Sequence, residues 1–107
     1  MKYDKAVEIC KVFMTENELA KITMGIGMTD MMVNVHGMTV MEARRYIRNL
    51  ILAVSRQVSE FVLLVIHGFH GGHMIRDMLW SGPVCSQVRS IRGSRKNPGV
   101  TWLMVQG

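Results

Sequence analysis

The sequence predicts an α/β domain, a two-layer sandwich of order β-α-β-α-β-β with a four-stranded mixed sheet and an extra N-terminal helix. Residues 61–66 are an unbroken aliphatic and aromatic run. At His67-Gly68-Phe69-His70-Gly71-Gly72-His73 it gives way to Met74, Ile75, Met78 and Leu79 at helical spacing. Upstream, Val33-Asn34-Val35-His36-Gly37 ends a second short apolar stretch in the same His-Gly pair. Thr39 and Glu42 follow with the spacing of a capping box. Two successive strand-turn-helix units favour parallel, neighbouring strands joined by a right-handed crossover.

Residues 3–19 read as a helix, with Ala6, Val7, Cys10, Phe13 and Met14 on one stripe suited to packing on the sheet or on a second copy of the chain. Residues 21–29, with Gly25 and Gly27, read as a loop. Its G-x-G lacks the third glycine and the preceding strand of a dinucleotide site. Residues 1–30 are therefore expected to be a helix and linker, and 31–107 the α/β domain. The first strand should run from Met31 to His36, and the helix after it from Val40 to Arg56. Ala43, Tyr46, Ile47, Leu50, Ile51 and Val54 form that helix's apolar stripe, and Arg44, Arg45, Arg48 and Arg56 its wet face. The run at 61–66 fits a central strand. A helix from Gly72 to Trp80 ends at Ser81-Gly82-Pro83. Residues 88–92 and 100–105 make a hairpin whose connection, Gly93 to Gly99, carries Arg95 and Lys96.

Composition sets outer limits. At 107 residues the chain is one domain that needs neither disulfide nor metal to fold. Cys10 and Cys85 lack metal-type spacing and read as reduced thiols of an intracellular, cytoplasmic protein. No leader-type apolar segment opens the chain, and no apolar run approaches the roughly 18 residues of a membrane span. Residues 1–37 carry a balance of −1 and residues 38–107 a balance of +6. The half with the His-Gly turns is thus the half that attracts polyanions. The eleven methionines show no metal-transfer pattern and suit irregular packing gaps.

Strand-end turns of this kind place side chains and helix-terminal N–H groups at the carboxyl edge of a sheet, where open α/β folds bind ligands and where phosphate suits the helix dipole. His36 and His67 are both expected to project there. V-N-V-H-G-M-T-V-x-E-A, then V-I-H-G with its glycine-rich turn, then N-P-G-V-T resemble, over residues 31–106, the small MutS-related (Smr) domain family. The resemblance implies DNA or RNA binding and, in some members, nicking or endonuclease activity. The family pattern has Asp where this chain has Asn34, and its H-G-x-G is here His67-Gly68-Phe69-His70 with glycines at Gly71 and Gly72.

The expected site follows from both readings. Gly37, Gly68, Phe69, His70, Gly71 and Gly72 line the nucleic acid, a phosphate being held by the N–H groups of Gly68, Gly71 and Gly72, with Arg92, Arg95 and Lys96 on flanking phosphates. Phe69 either stacks on a base or covers the core edge. His36 and His67 form the acid-base pair, because imidazole exchanges protons near neutral pH. Asn34 takes the place of the orienting carboxylate. No metal set is assigned, although a divalent cation (Mg or Mn) is compatible with cleavage. The alternatives are a cleavage-inactive module for structured nucleic acid or nucleoprotein, and a phosphorylated-ligand or metal site in a homo-oligomer. The metal version would use His67, His70 and His73 with Cys85 or His36. Homodimerisation would use the N-terminal helix. His36 and His67 as hydrogen-bonded core histidines at strand ends is the plain alternative to any active role.

Overall fold

The computed structural model describes residues 22–24, 30–68, 73–94 and 96–106. The N-terminal helix expected at 3–19, and Cys10 within it, lie outside the described residues. In chain order the elements are β1 (Ile22–Met24), β2 (Met31–Asn34), α1 (Val40–Ser55), β3 (Glu60–Ile66), α2 (His73–Ser81), β4 (Val88–Gly93) and β5 (Val100–Gln106).

The expected β-α-β-α-β-β order and mixed sheet are present, with one addition. The sheet order is β1-β2-β3-β5-β4, so a fifth strand joins the edge from the segment expected to be a loop. Ile22, Thr23 and Met24 pair antiparallel with Val33, Met32 and Met31. A three-residue strand is too short to show alternation, and the two following glycines conceal it as a turn. β2 and β3 are parallel, as the crossover requires, while β5 runs antiparallel between β3 and β4.

Alternation decides which side chains meet the helices. Met31, Val33 and Val35, then Phe61, Leu63 and Val65, then Leu103 and Val105 are buried in one cluster with Ala43, Tyr46, Ile47, Leu50, Ile51 and Val54 of α1 and Ile75 and Leu79 of α2. Burying an aliphatic or aromatic side chain of this size contributes ~1.5–3 kcal/mol, so this layer dominates the fold's stability. Met32, Val62, Leu64, Ile66, Trp102 and Met104 lie on the opposite sheet face and are half-buried. Cys85 is a free, half-buried thiol packed against the core.

Local signals set the ends of α1. Thr39 stands extended as its N-cap, and its Oγ1 accepts the Glu42 N–H at 3.1 Å while donating to the Glu42 carboxylate at 2.9 Å. A first-turn N–H is thereby satisfied, and Glu42 adds the negative charge that the helix dipole favours there. At the other end of the parallel pair, the Asp30 carboxylate accepts the Val62 N–H at 2.7 Å, and the Asp30 N–H donates to the Val62 carbonyl at 3.0 Å. The β2–β3 ladder is fixed at its start, so the strands' carboxyl ends have one register. No described helix is long and apolar enough to cross a membrane.

Candidate nucleic-acid interface

The site begins where β2 runs out of apolar sequence. The Val35 N–H still donates to the Ile66 carbonyl at 2.9 Å, extending the ladder by one bond. The Asn34 side-chain oxygen then accepts the His36 N–H at 3.0 Å, and the Met38 N–H closes a turn onto the Val35 carbonyl at 3.1 Å. Gly37 occupies the third position of that turn with φ +88°, a backbone conformation that L side chains resist. The turn lifts His36 to its exposed corner.

Register separates the two His-Gly pairs. Asn34 lies opposite Ile66, so the next steps set Val35 beside His67 and His36 beside Gly68. Val33, Val35, Leu63, Val65 and His67 share the buried parity, and His67 has no solvent exposure. The expectation that both imidazoles project from the sheet edge is therefore corrected. One residue of offset turns a side chain to the other face of a strand, and the two pairs are offset by one. What meets His36 is the bare backbone of Gly68, whose φ is +82°. A Cβ there would stand 2.5 Å from His36 Cδ2 and 3.3 Å from its Nε2. Glycine is needed at position 68 both for its φ and for the ring laid against it.

His67 holds the edge together from inside. Its Nδ1 lies 2.8 Å from the Gly68 carbonyl oxygen, which can only accept, so Nδ1 carries the proton and donates. In the neutral ring Nε2 is then an acceptor, and the Thr101 hydroxyl donates a hydrogen bond to it at 2.9 Å. The Thr101 oxygen in turn accepts the Trp80 indole N–H at 3.2 Å. A directed chain thus runs from α2 through β5 and His67 to the Gly68 carbonyl. The third sequence motif closes the same corner. The Gly99 carbonyl accepts the N–H groups of both His67 and Gly68 at 3.0 Å, and the Gly99 N–H donates to the Asn97 side chain at 3.0 Å. A Cβ on Gly99 would stand 3.2 Å from the Asn97 side-chain oxygen and 3.3 Å from the Gly68 carbonyl carbon, so glycine lets the loop lie this close without a shift.

All three motifs accordingly converge on one end of the sheet, with changed duties for some members. The Gly68 N–H, expected to hold phosphate, is already engaged by Gly99. Lys96 is exposed in the loop at this edge, and Arg92 is exposed on β4 opposite Trp102, on the sheet face away from the helices. Phe69, His70, Gly71, Gly72 and Arg95 lie outside the described residues. Among the described residues no three His, Cys, Asp or Glu side chains gather as a metal-binding group. Sequence reasoning passed over Thr101 and Trp80. A signal existed for Thr101, a hydroxyl at a core position of an otherwise apolar strand, but its partner 34 residues away could not be read locally.

No protein-family model and no curated protein matches the chain. Among solved structures it is similar to the Smr domain of Thermus thermophilus MutS2, with a TM-score of 0.57 and 21% identity over 71% of this chain and 98% of that one. The fold is Smr-like. In this Smr-like domain the positions resembling the family motifs are the ones gathered at the carboxyl edge, with Asn34 at the usual acidic position and shaping the turn through its side-chain oxygen.

Thr101→Val keeps the shape of the side chain but leaves the buried His67 Nε2 and the Trp80 N–H without their partner, so it should cost ~1–3 kcal/mol in denaturant unfolding. Thr101→Ser should retain most of the stability, and a Val variant as stable as the parent would show that the chain contributes nothing. Gly37→Ala and Gly68→Ala each force an L residue to positive φ, at ~1–2 kcal/mol. Gly37 has open space around it, whereas Gly68→Ala must also move His36. Only the Gly68 variant should shift the His36 imidazole resonances strongly, and equal shifts in both would remove the ring-on-glycine contact from the account.

Proposed function

We propose that this Smr-like domain binds nucleic acid across the carboxyl edge of its sheet, with His36 facing the sugar-phosphate backbone and Lys96 and Arg92 on flanking phosphates. The observation that carries the reading is the exposed His36 imidazole laid on the uncovered Gly68 backbone at the sheet edge that also bears Lys96. The charge balance of +6 over residues 38–107 supports it, as does the nucleic-acid chemistry implied by the resemblance to Smr domains.

If the domain breaks a strand, by DNA nicking or RNA cleavage, His36 is the accessible imidazole that moves a proton at the scissile phosphodiester. His67 acts behind it as a positioning residue. Its Nδ1–H holds the Gly68 carbonyl, and that fixes the glycine on which His36 rests. Asn34 performs the turn-forming part of a carboxylate's task and lacks its charge, so it offers no negative group to a cation. Binding with weak cleavage is the outcome we assign. Among the described residues no group of three His, Cys, Asp or Glu side chains stands ready to hold a divalent ion.

Contacts to phosphate make affinity salt-dependent. Lys96→Ala and Arg92→Ala should each weaken binding to all sequences alike and flatten the plot of log affinity against log salt by ~0.9 unit. An affinity indifferent to salt is incompatible with this interface. Asn34→Asp should raise nicking at neutral pH about tenfold, equivalent to ~1.4 kcal/mol on the barrier. His36→Ala should remove the activity in both backgrounds without lowering Tm, because its ring is exposed. Rates at saturating nucleic acid, with and without Mg or Mn, decide the matter: an Asp variant no faster than the parent, with the fold intact by circular dichroism, would end the case for a weakened nuclease.

A further inference from the structure

We infer that α1 carries a second phosphate-contact row, a ridge of Arg44, Arg45 and Arg48 that grips the opposite backbone of a double helix whose first backbone lies at the His36 edge. This rests on the nucleic-acid reading above and names the form of the ligand. All three arginines are exposed, and among the described residues none has an ion pair. The neighbouring acid, Glu42, has its carboxylate turned to the Thr39 hydroxyl at 2.9 Å.

Helix physics argues against these charges as mere solubilising decoration. Arg44 and Arg48 stand four residues apart, and Arg45 and Arg48 three apart, so like charges face each other on one surface. They are the fifth, sixth and ninth of the sixteen residues of α1, away from its carboxyl end, where cations are favoured and where Arg56 already stands at the C-cap. A local rule broken without compensation within the fold marks a surface kept for a ligand that supplies the missing negative charge.

The shape agrees with a polyanion. Met41, Glu42, Arg44, Arg45, Arg48 and Asn49 line one shallow concavity, and Met41 is 78% exposed beside the arginines. Phosphate fits the guanidinium forks, and the methionine offers an apolar surface to sugar. Spacing selects the double helix. α1 starts directly after the His36–Gly37 turn, and nine residues of helix set Arg48 about 13 Å along its axis from the N-cap. The major groove of a B-form duplex is about 12 Å wide, so the far end of the ridge, at Arg48, stands about one groove width from the helix start beside the His36 turn. A single strand held at His36 has no second backbone to place there.

The test compares a DNA duplex of about 20 base pairs with a single strand of the same sequence, each titrated against the full chain over a range of salt. R44A/R45A/R48A should flatten the duplex salt slope by about two to three units, at ~0.9 per contact, and change single-strand affinity less than twofold. R44K/R45K/R48K should keep most of the slope, as a phosphate row demands. Because the alanine variant relieves like-charge repulsion on an exposed helix face, its Tm should be at or above that of the parent. An unchanged duplex slope, while Lys96→Ala still lowers it, overturns the ridge and leaves the edge interface standing. Equal losses on duplex and single strand overturn the two-backbone geometry. Failure of the parent to bind either nucleic acid overturns the interface and the ridge together, and binding of an acidic peptide in its place would assign these arginines to a protein partner.

Discussion

The parallel register of β2 on β3 is the constraint from which the candidate site follows. Asp30 pins the pair at its start and Val35 at its end, so Val35 must lie beside His67 and His36 beside Gly68. Two dipeptides that look equivalent in sequence thereby receive opposite environments. One histidine is lifted to a turn corner, and the other continues the buried parity of an apolar strand. A slip of β2 by one residue would turn His36 inward and send Val33 and Val35 out of the core, which is why the hydrophobic layer holds the site's geometry so firmly.

Polar chemistry then completes what packing begins. His67 is costly to bury unless its ring atoms are satisfied, and the Gly68 carbonyl and Thr101 hydroxyl satisfy both. The same bonds tie the end of β3 to β5 and, through Trp80, to α2. The Gly99 carbonyl adds two further bonds on the backbone side. The corner on which His36 rests is therefore built from separate stretches of chain, the end of β3 being tied directly to β5 and through Thr101 to α2. Such cross-linking suits the proposed role of His36, which would need a defined position.

Charge is distributed around that corner on both sides of the molecule. Arg92 lies on the sheet face away from the helices, Lys96 at the edge and the α1 arginines on the outer helical face. Such an arrangement is compatible with the proposed ligand, a broad and charged double helix.

By itself the sequence determined the α/β class, the order of the two crossover units and the hairpin, the capping of α1 by Thr39, and the three motif positions from which the site is made. These are local properties. Alternation, helical spacing, a capping pair and a Gly-Pro stop each act within a few residues, so they survive in a linear reading. Tertiary structure decided what depends on distant partners. The edge strand Ile22–Met24 is a strand because Met31–Val33 stands ready to pair with it. The uninterrupted apolar run at 61–66 conceals its own parity, so only the pairing of β3 with β2 shows that His67 faces inward. Thr101 becomes a site residue only because β5 inserts beside β3 and brings its hydroxyl to an imidazole 34 positions earlier. Register and strand order are settled by burying one face of every strand at once, and no single stretch of sequence contains that condition.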